Sequence, residues 1–312
     1  VAAAAEAAAG ADVAIVVAGY DAQDEGEYIG PDSAATPELL SLFPPIPDDM
    51  VSVLGQAFAE GEQSRGMGGD RASLSLRPVD EEIIRAVAAA NASTVVAVVA
   101  AGAVLTEGWR AEVPAVLMMW YPGMEGGHAL ADVLTGAHNP SGRLPFSIPT
   151  SEAHLPFFDR EATAITYDRF HGQRLLDKLG VPAAFPHGFG LSYSTFAVRA
   201  AKVDSLEEGT ATLTVEVANT GGRDGIHVVQ VYGRSSAGPY AGELFLSGFA
   251  PVSVPAASTA SVSVPVSLRP LAAWDAGERR RALPDPGDVE LEVGSHAHDP
   301  NAVLVRLAPA GR

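Results

Sequence analysis

Val13-Ala-Ile-Val-Val-Ala18 is a short, uninterrupted apolar run, the pattern of a strand buried on both faces of a parallel sheet. The same pattern returns at Thr94 to Ala100 and at Val116 to Trp120. Ahead of the second run, Asp80 to Ala90 reads as a helix: it opens with Asp80, Glu81 and Glu82, acids that suit the positive end of a helix dipole, and it stops before Asn91. Val1 to Ala11 reads as the end of another helix, and a Gly-rich turn after the third run leads into a helix from about Glu125 to Leu134. Strand, helix, strand, strand, helix predicts a layered α/β domain.

Beyond Phe196 the texture changes. Apolar and polar residues alternate in Ala211-Thr-Leu-Thr-Val-Glu-Val-Ala218, Asn219-Thr-Gly-Gly222 turns the chain, and His227 to Tyr232 resumes as a strand, with Val252 to Val266 and Val289 to Val293 in the same style. Short strands between Gly, Pro and Asp turns, about 115 residues in all, predict an immunoglobulin-like β-sandwich. A chain of 312 residues accommodates two domains at roughly 100 to 200 residues each. We place an α/β domain over 1–195, with a Pro- and Gly-rich surface excursion at about 30–69, and an all-β sandwich over 196–312.

The charge narrows the function. There are 38 Asp and Glu against 20 Lys and Arg, a net −18, so a nucleic-acid partner, whose phosphates need Lys and Arg, is excluded. Within residues 20–82 the balance is 14 acids to three arginines (Arg65, Arg71, Arg77). No apolar run reaches membrane-spanning length, so no membrane partner is expected. The alanine-rich start carries Glu6 and Asp12 and lacks a basic region, unlike a signal peptide. The compartment stays open, with the cytoplasm ahead of export. The absence of Cys removes disulfides, thiolate metal sites and thiol nucleophiles.

The Gly-x-Ser-x-Gly elbow, the His-Glu-x-x-His helix, the P-loop and the calcium loop are all missing. Tyr121-Pro-Gly-Met-Glu-Gly-Gly127 has the glycines of a phosphate cradle without dinucleotide spacing, and reads as a tight strand-to-helix turn. His296 and His298 read as neighbours on one strand face, with no third metal ligand in view.

The chemistry points to Gly19-Tyr-Asp-Ala-Gln-Asp-Glu-Gly-Glu-Tyr28. It follows the first strand, and ligands of open α/β sheets sit beyond the carboxyl ends of strands. Asp24, Glu25 and Glu27 set three carboxylates within four residues, and mutual repulsion raises the pKa of at least one. A carboxyl that keeps its proton near neutrality is what a general acid for glycoside cleavage needs. A solvated acidic loop is the competing reading of the same spacing.

A family resemblance then enters. Glu25-Gly-Glu-Tyr-Ile29, Gly68-Gly-Asp-Arg71-Ala-Ser-Leu74, Val113-Pro-Ala-Val-Leu117 with Trp120-Tyr-Pro-Gly-Met-Glu-Gly-Gly127, Ala129 to Leu134, Asn139-Pro-Ser-Gly-Arg-Leu-Pro145 and Phe185-Pro-His-Gly-Phe-Gly-Leu-Ser-Tyr193 follow in order. Asn219 to Gly225 and Val228 to Tyr232 come after them. The chain resembles the C-terminal half of glycoside hydrolase family 3, the β-glucosidases in particular: an α/β sandwich domain followed by a fibronectin type III-like module. This favours the chemical reading of the acidic loop. Carried over, the resemblance makes Glu25 the general acid/base, with Glu27 as the alternative, and Asp24 the neighbour that raises its pKa. Asp70 and Arg71 become a loop-ordering pair near the substrate site, and the glycines of the 121–127 segment permit close packing.

The resemblance also implies a TIM-type barrel that supplies the aspartate nucleophile, and none is present in these residues. With Val1 in place of Met, the chain is expected to be a fragment, a separately encoded half or a truncated homologue, with little or no hydrolase activity alone. Two readings follow. One is part of a retaining β-glucosidase that acts on a β-glucoside or oligosaccharide once a barrel completes it in cis or trans; the other is a non-catalytic carbohydrate-binding or assembly module. No metal or cofactor is implied by either.

Overall fold

A computed structural model describes residues 1–21, 24, 71, 73–159 and 162–309; the excursion read at about 30–69 lies outside them. The structure divides into two compact units, Val1–Gly123 and Met124–Arg312.

The first unit is built on a three-stranded parallel sheet of β1 (Ala14–Gly19), β2 (Thr94–Val99) and β3 (Ala115–Met118), in that spatial order. The register pairs Ala14 with Thr94, Val16 with Val96 and Ala18 with Val98, and it continues from Val96 to Val116 and Val98 to Met118. These residues share one face, where Val16, Ala18, Val96, Val98, Val116 and Met118 meet Ile84 of the helix Pro78–Ala90 together with Leu76, Val104 and Trp109, while Ala14 packs with Ala8 and Val87. The helix starts two residues before its first acid because Pro78 suits the first helical position. It stops at Asn91, whose Nδ2 donates to the carbonyls of Ala8 and Ala11 at 3.0 and 2.7 Å and so ties down the helix Ala2–Ala9.

Burial on both faces holds for the middle of β2, where Val96 and Ala97 are both fully buried. It fails for β1: Ile15 and Val17 are 49% and 61% exposed. One face of β1 is packed and the other is left about half open, so each of these side chains forgoes only part of the roughly 1.5–3 kcal/mol of full burial.

The second unit holds the helices Gly126–Thr135 and Gln173–Leu179, the short pair β4 (Ile148–Pro149) and β5 (Ala183–Phe185), and a β-sandwich. One antiparallel sheet has the order β10-β7-β6, from β6 (Phe196–Glu207), β7 (Thr210–Asn219) and β10 (Thr259–Ser267). The other has the order β14-β13-β8-β9, from β8 (Gly225–Ser235), β9 (Leu244–Val254), β13 (Val289–Gly294) and β14 (Val303–Arg306). The alternation read at 211–218 is the packing pattern: Leu213, Val215 and Val217 are fully buried against Val229, Val231, Val264, Leu291 and Val293. The stretch 252–266 is the end of β9, a turn and β10. A small hairpin of β11 (Ala273–Asp275) and β12 (Arg280–Ala282) completes the strands described.

Two segments singled out in the sequence are structural staples of this unit. Asn139 Oδ1 accepts from Ser192 Oγ and from the Tyr193 amide, both at 2.8 Å, and its Nδ2 donates to the Asp224 carbonyl. In the segment 185–193, Gly188 has φ +83, and a Cβ there would lie 1.8 Å from Gln230 Oε1. Beside it, Tyr232 Oη bonds the His187 ring, the His187 carbonyl and Gln230. Among the described residues no helix is long and apolar enough to cross a membrane.

Candidate active site

The carboxyl end of β1 is where the acidic loop leaves the sheet, and glycine is required there. Gly19 has φ +156, and a Cβ would sit 1.9 Å from the Val99 carbonyl oxygen. Tyr20 follows, 7% exposed, its amide donating to Val99 O at 2.9 Å and its hydroxyl to the Ser75 carbonyl. The Arg71 guanidinium lies 4.5 Å from the Tyr20 ring centroid, and its Nη1 donates to Ala103 O at 3.1 Å. Arg71 therefore stacks on the residue that starts the loop, a cation–π arrangement.

Arg77, in sequence only one of the three arginines among residues 20–82, organises the rest. Its Nε lies 2.7 Å from Asp80 Oδ2, its Nη2 donates to Gly19 O at 3.2 Å, and its Nη1 reaches Asp24 Oδ2 at 3.4 Å and Asp21 Oδ2 at 3.6 Å. One planar guanidinium thus joins the helix start, the strand end and the acidic loop, which a fork of several donors can do and an ammonium cannot. The hydrogen bond to Asp80 raises the Arg77 pKa, burial opposes it, and the charges of Asp80, Asp24 and Asp21 raise it further. Asp24 Oδ2 also accepts from the Asp21 amide at 3.1 Å, closing a local Asp turn.

Of the residues named from sequence, Asp24 and Arg71 are thus brought to the carboxyl end of the sheet. Glu25, Glu27 and Asp70 lie outside the described residues. Arg77 carries no motif; its signal was its place between a strand-like Leu and the Pro that opens a helix.

Three expectations elsewhere need correction. Close packing does not account for Gly123 and Gly127, where an added Cβ meets nothing within 4 Å; the reason at Gly123 is its φ of +69. The strand read from Val116 to Trp120 instead ends at Met118, and the backbone turns at Trp120, φ +58. His296 and His298 do not share a strand face, because β13 ends at Gly294 and Asp299 folds the next residues into a turn, accepting from the amides of Ser295 and Asn301 at 2.9 Å each. His296 Nδ1 faces the Ala297 carbonyl and His298 Nε2 faces Asp177. Among the described residues no group of three or more His, Asp or Glu forms a metal cluster.

The fold is a parallel α/β sheet followed by a two-sheet β-sandwich, an architecture that many unrelated activities share. Residues 1–193 match the glycosyl hydrolase family 3 C-terminal domain, and residues 227–297 match the fibronectin type III-like domain. The chain belongs to glycosyl hydrolase family 3. It is 32% identical over 234 residues to a xylan 1,4-beta-xylosidase of Xylanibacter ruminicola, covering 74% of this chain and 26% of that protein. It is 35% identical over 237 residues to beta-glucosidase B of Emericella nidulans, covering 70% and 28%. Among solved structures, DesR, a β-glucosidase from Streptomyces venezuelae in complex with D-glucose, is 30% identical with a TM-score of 0.73, covering 98% of this chain and 35% of that one. A β-D-glucoside glucohydrolase from Trichoderma reesei gives 0.79 at 25% identity, covering 98% and 42%. The chain spans less than half the length of these relatives.

Proposed function

We propose that this chain forms the acid/base side of a retaining β-glucosidase site that removes terminal β-D-glucosyl residues. Glu25 donates a proton to the glycosidic oxygen as an aspartate from a barrel, in cis or in trans, attacks the anomeric carbon. Glu25 then takes a proton from the water that releases the sugar from the aspartate. Glu27 stands as the alternative in the same role. Asp24, next to Glu25 in the chain, serves as the neighbour that raises its pKa, while Asp70 and Arg71 order the neighbouring segment.

The observation that carries this reading is the anchoring of the acidic loop: Gly19 O and Asp24 are held by one guanidinium at the carboxyl end of β1, in a chain of this family. Phe157 and Phe158, 78% and 69% exposed, support a partner, since exposed large apolar side chains mark docking surfaces. Retaining chemistry needs two carboxyls roughly 5–5.5 Å apart, so the 312-residue chain tested by itself is expected to turn over little substrate.

The test combines the purified chain with a separately produced family 3 β-glucosidase barrel and follows release from aryl β-glucoside and aryl β-xyloside. Turnover that appears only in the mixture, prefers the glucoside and disappears in Glu25→Gln supports the proposal; disappearance in Glu27→Gln instead moves the role to Glu27. Turnover by the chain alone overturns the division of labour. Sugar binding without turnover in the mixture replaces it with a non-catalytic carbohydrate-binding module.

A further inference from the structure

The β11–β12 hairpin serves none of the roles above. Its register sets Trp274 opposite Arg281 and Asp275 opposite Arg280, and directly opposed residues of an antiparallel ladder share a face with Cβ atoms about 5 Å apart. One face therefore carries an indole beside a guanidinium. The other is charge-balanced: Arg280 Nε lies 3.9 Å from Glu278 Oε2. Asp275 is used in the tip, where its Oδ1 accepts from the amides of Gly277 and Glu278 at 2.9 and 3.1 Å. The chain then passes through Arg279 at φ +51.

Trp274 is 61% exposed. Among the described residues the side chains of Arg279 and Arg281 have no hydrogen-bond or ion-pair partner, and no guanidinium covers the indole. Residues 269–283 hold four arginines (Arg269, Arg279, Arg280, Arg281) against Asp275 and Glu278, a local excess of positive charge on a chain of net −18.

An open indole face takes the C–H face of a pyranose ring, while a free guanidinium takes a carboxylate in a two-bond fork. A pyranose that carries a carboxylate is a hexuronic acid. We infer that the hairpin is a surface site for uronate-bearing polysaccharide, with Trp274 stacking on the sugar and Arg281 and Arg279 pairing with its carboxylate. A neutral glycan leaves both arginines unused. A polyanion is repelled by most of this acidic surface, which confines its contact to the hairpin.

Affinity electrophoresis of the full chain through gels containing polygalacturonate or glucuronoxylan, against neutral arabinoxylan and mixed-linkage β-glucan, tests the assignment. Retention is expected in the uronate gels only, weakened about three- to tenfold by Trp274→Ala and by Arg281→Gln and abolished by high salt. Arg199→Gln, an exposed arginine on β6, serves as the charge control and is expected to leave retention unchanged. Equal retention by neutral polymers, no retention at all, or an Arg199→Gln effect as large as that of Arg281→Gln overturns the proposal. Both hairpin residues are solvent-facing, and unchanged thermal unfolding of the variants shows that a lost retention is not a lost fold.

Discussion

His298 Nε2 lies 2.9 Å from Asp177 Oδ1, joining the turn after β13 to the helix Gln173–Leu179. The bond belongs to a larger clasp. Asp177 also accepts from Gln173 Nε2 at 2.9 Å, while Gln173 Oε1 accepts from Ser147 Oγ at 2.8 Å and from the His187 amide at 3.2 Å. The Ala297 amide returns to the His187 carbonyl at 2.9 Å. These polar bonds act beside the burial of Leu176, which is 1% exposed.

The clasp should make stability depend on pH in a bounded window. The bond to Asp177 raises the His298 pKa against the desolvation that lowers it, so its stabilisation is complete below the ordinary histidine value and fades as pH rises through the raised one. For Asp177, desolvation raises the pKa, but the bonds from His298 and Gln173 outweigh it and the net shift is downward. Its stabilisation is present above the ordinary carboxylate value and fades as pH falls through the lowered one. The pair therefore contributes most from about pH 4 to about pH 6.5. For a half-exposed pair the expected size is about 1 kcal/mol, or roughly 2–4 °C in Tm. Calorimetry of His298→Gln should show its largest deficit near pH 5–6 and almost none above pH 8.

Arg77 should govern the order of the acidic loop. Arg77→Ala removes the bond to Gly19 O and the partner of Asp80 at the helix start, at an expected cost of about 1–2 kcal/mol. Arg77→Lys should recover only part of this, because an ammonium cannot span three acceptors in different directions. Urea unfolding reads the stability, and hydrogen exchange at the Asp24 amide, which donates to Asp21 O at 3.0 Å, reads the loop. Faster exchange at Asp24 in Arg77→Lys, with little change in the helix Pro78–Ala90, is the expected pattern; equal rates at Asp24 would refute it.

The sequence carried these features unequally. Apolar runs announce β1 and β2, but a run of valines looks the same with one face covered as with two, so the exposure of Ile15 and Val17 is not legible in it. Motif segments such as Asn139–Pro145 stood out, yet what they reveal in three dimensions is stapling rather than chemistry. Arg77 was invisible for the opposite reason. Its acceptors at Asp24 and Gly19 lie 53 and 58 positions away, and only the parallel register of β1 and β2 brings them together. His296 and His298 look like strand residues in the sequence because side-chain turns such as the one at Asp299 interrupt a strand without changing its composition.

Asn219 should be among the least replaceable polar residues of the β-sandwich. It is 2% exposed and uses its whole amide: Oδ1 accepts from Ser194 Oγ at 2.6 Å and from the Gly221 amide at 3.0 Å, and Nδ2 donates to Arg223 O and Val254 O at 2.7 and 3.0 Å. Asn219→Ala strands four partners, and with about 1 kcal/mol for each the expected loss is roughly 2–4 kcal/mol. Asn219→Asp keeps the acceptors but faces a carboxylate toward two carbonyls, so it should be worse at neutral pH than at pH 4. Urea midpoints at the two pH values check both statements.

His227 should make the fold acid-sensitive, in the opposite sense to His298. It is 2% exposed, stacks at 5.1 Å on Phe196, and neither ring nitrogen has a partner among the described residues. Desolvation first, and the Arg143 charge second, push its pKa down to about 4, against a smaller opposing pull from Asp299. The unfolded chain therefore binds a proton that the folded chain refuses between about pH 6.5 and pH 4, and stability falls as the pH drops through that range. The full difference is about 3 kcal/mol. His227→Leu removes the titration and the two orphaned nitrogens at similar volume, so it should match or exceed the parent at pH 7. Its margin should widen steadily down to pH 4 in chemical denaturation. A parallel pH dependence in parent and variant would show that folding does not lower the His227 pKa, and would refute the prediction.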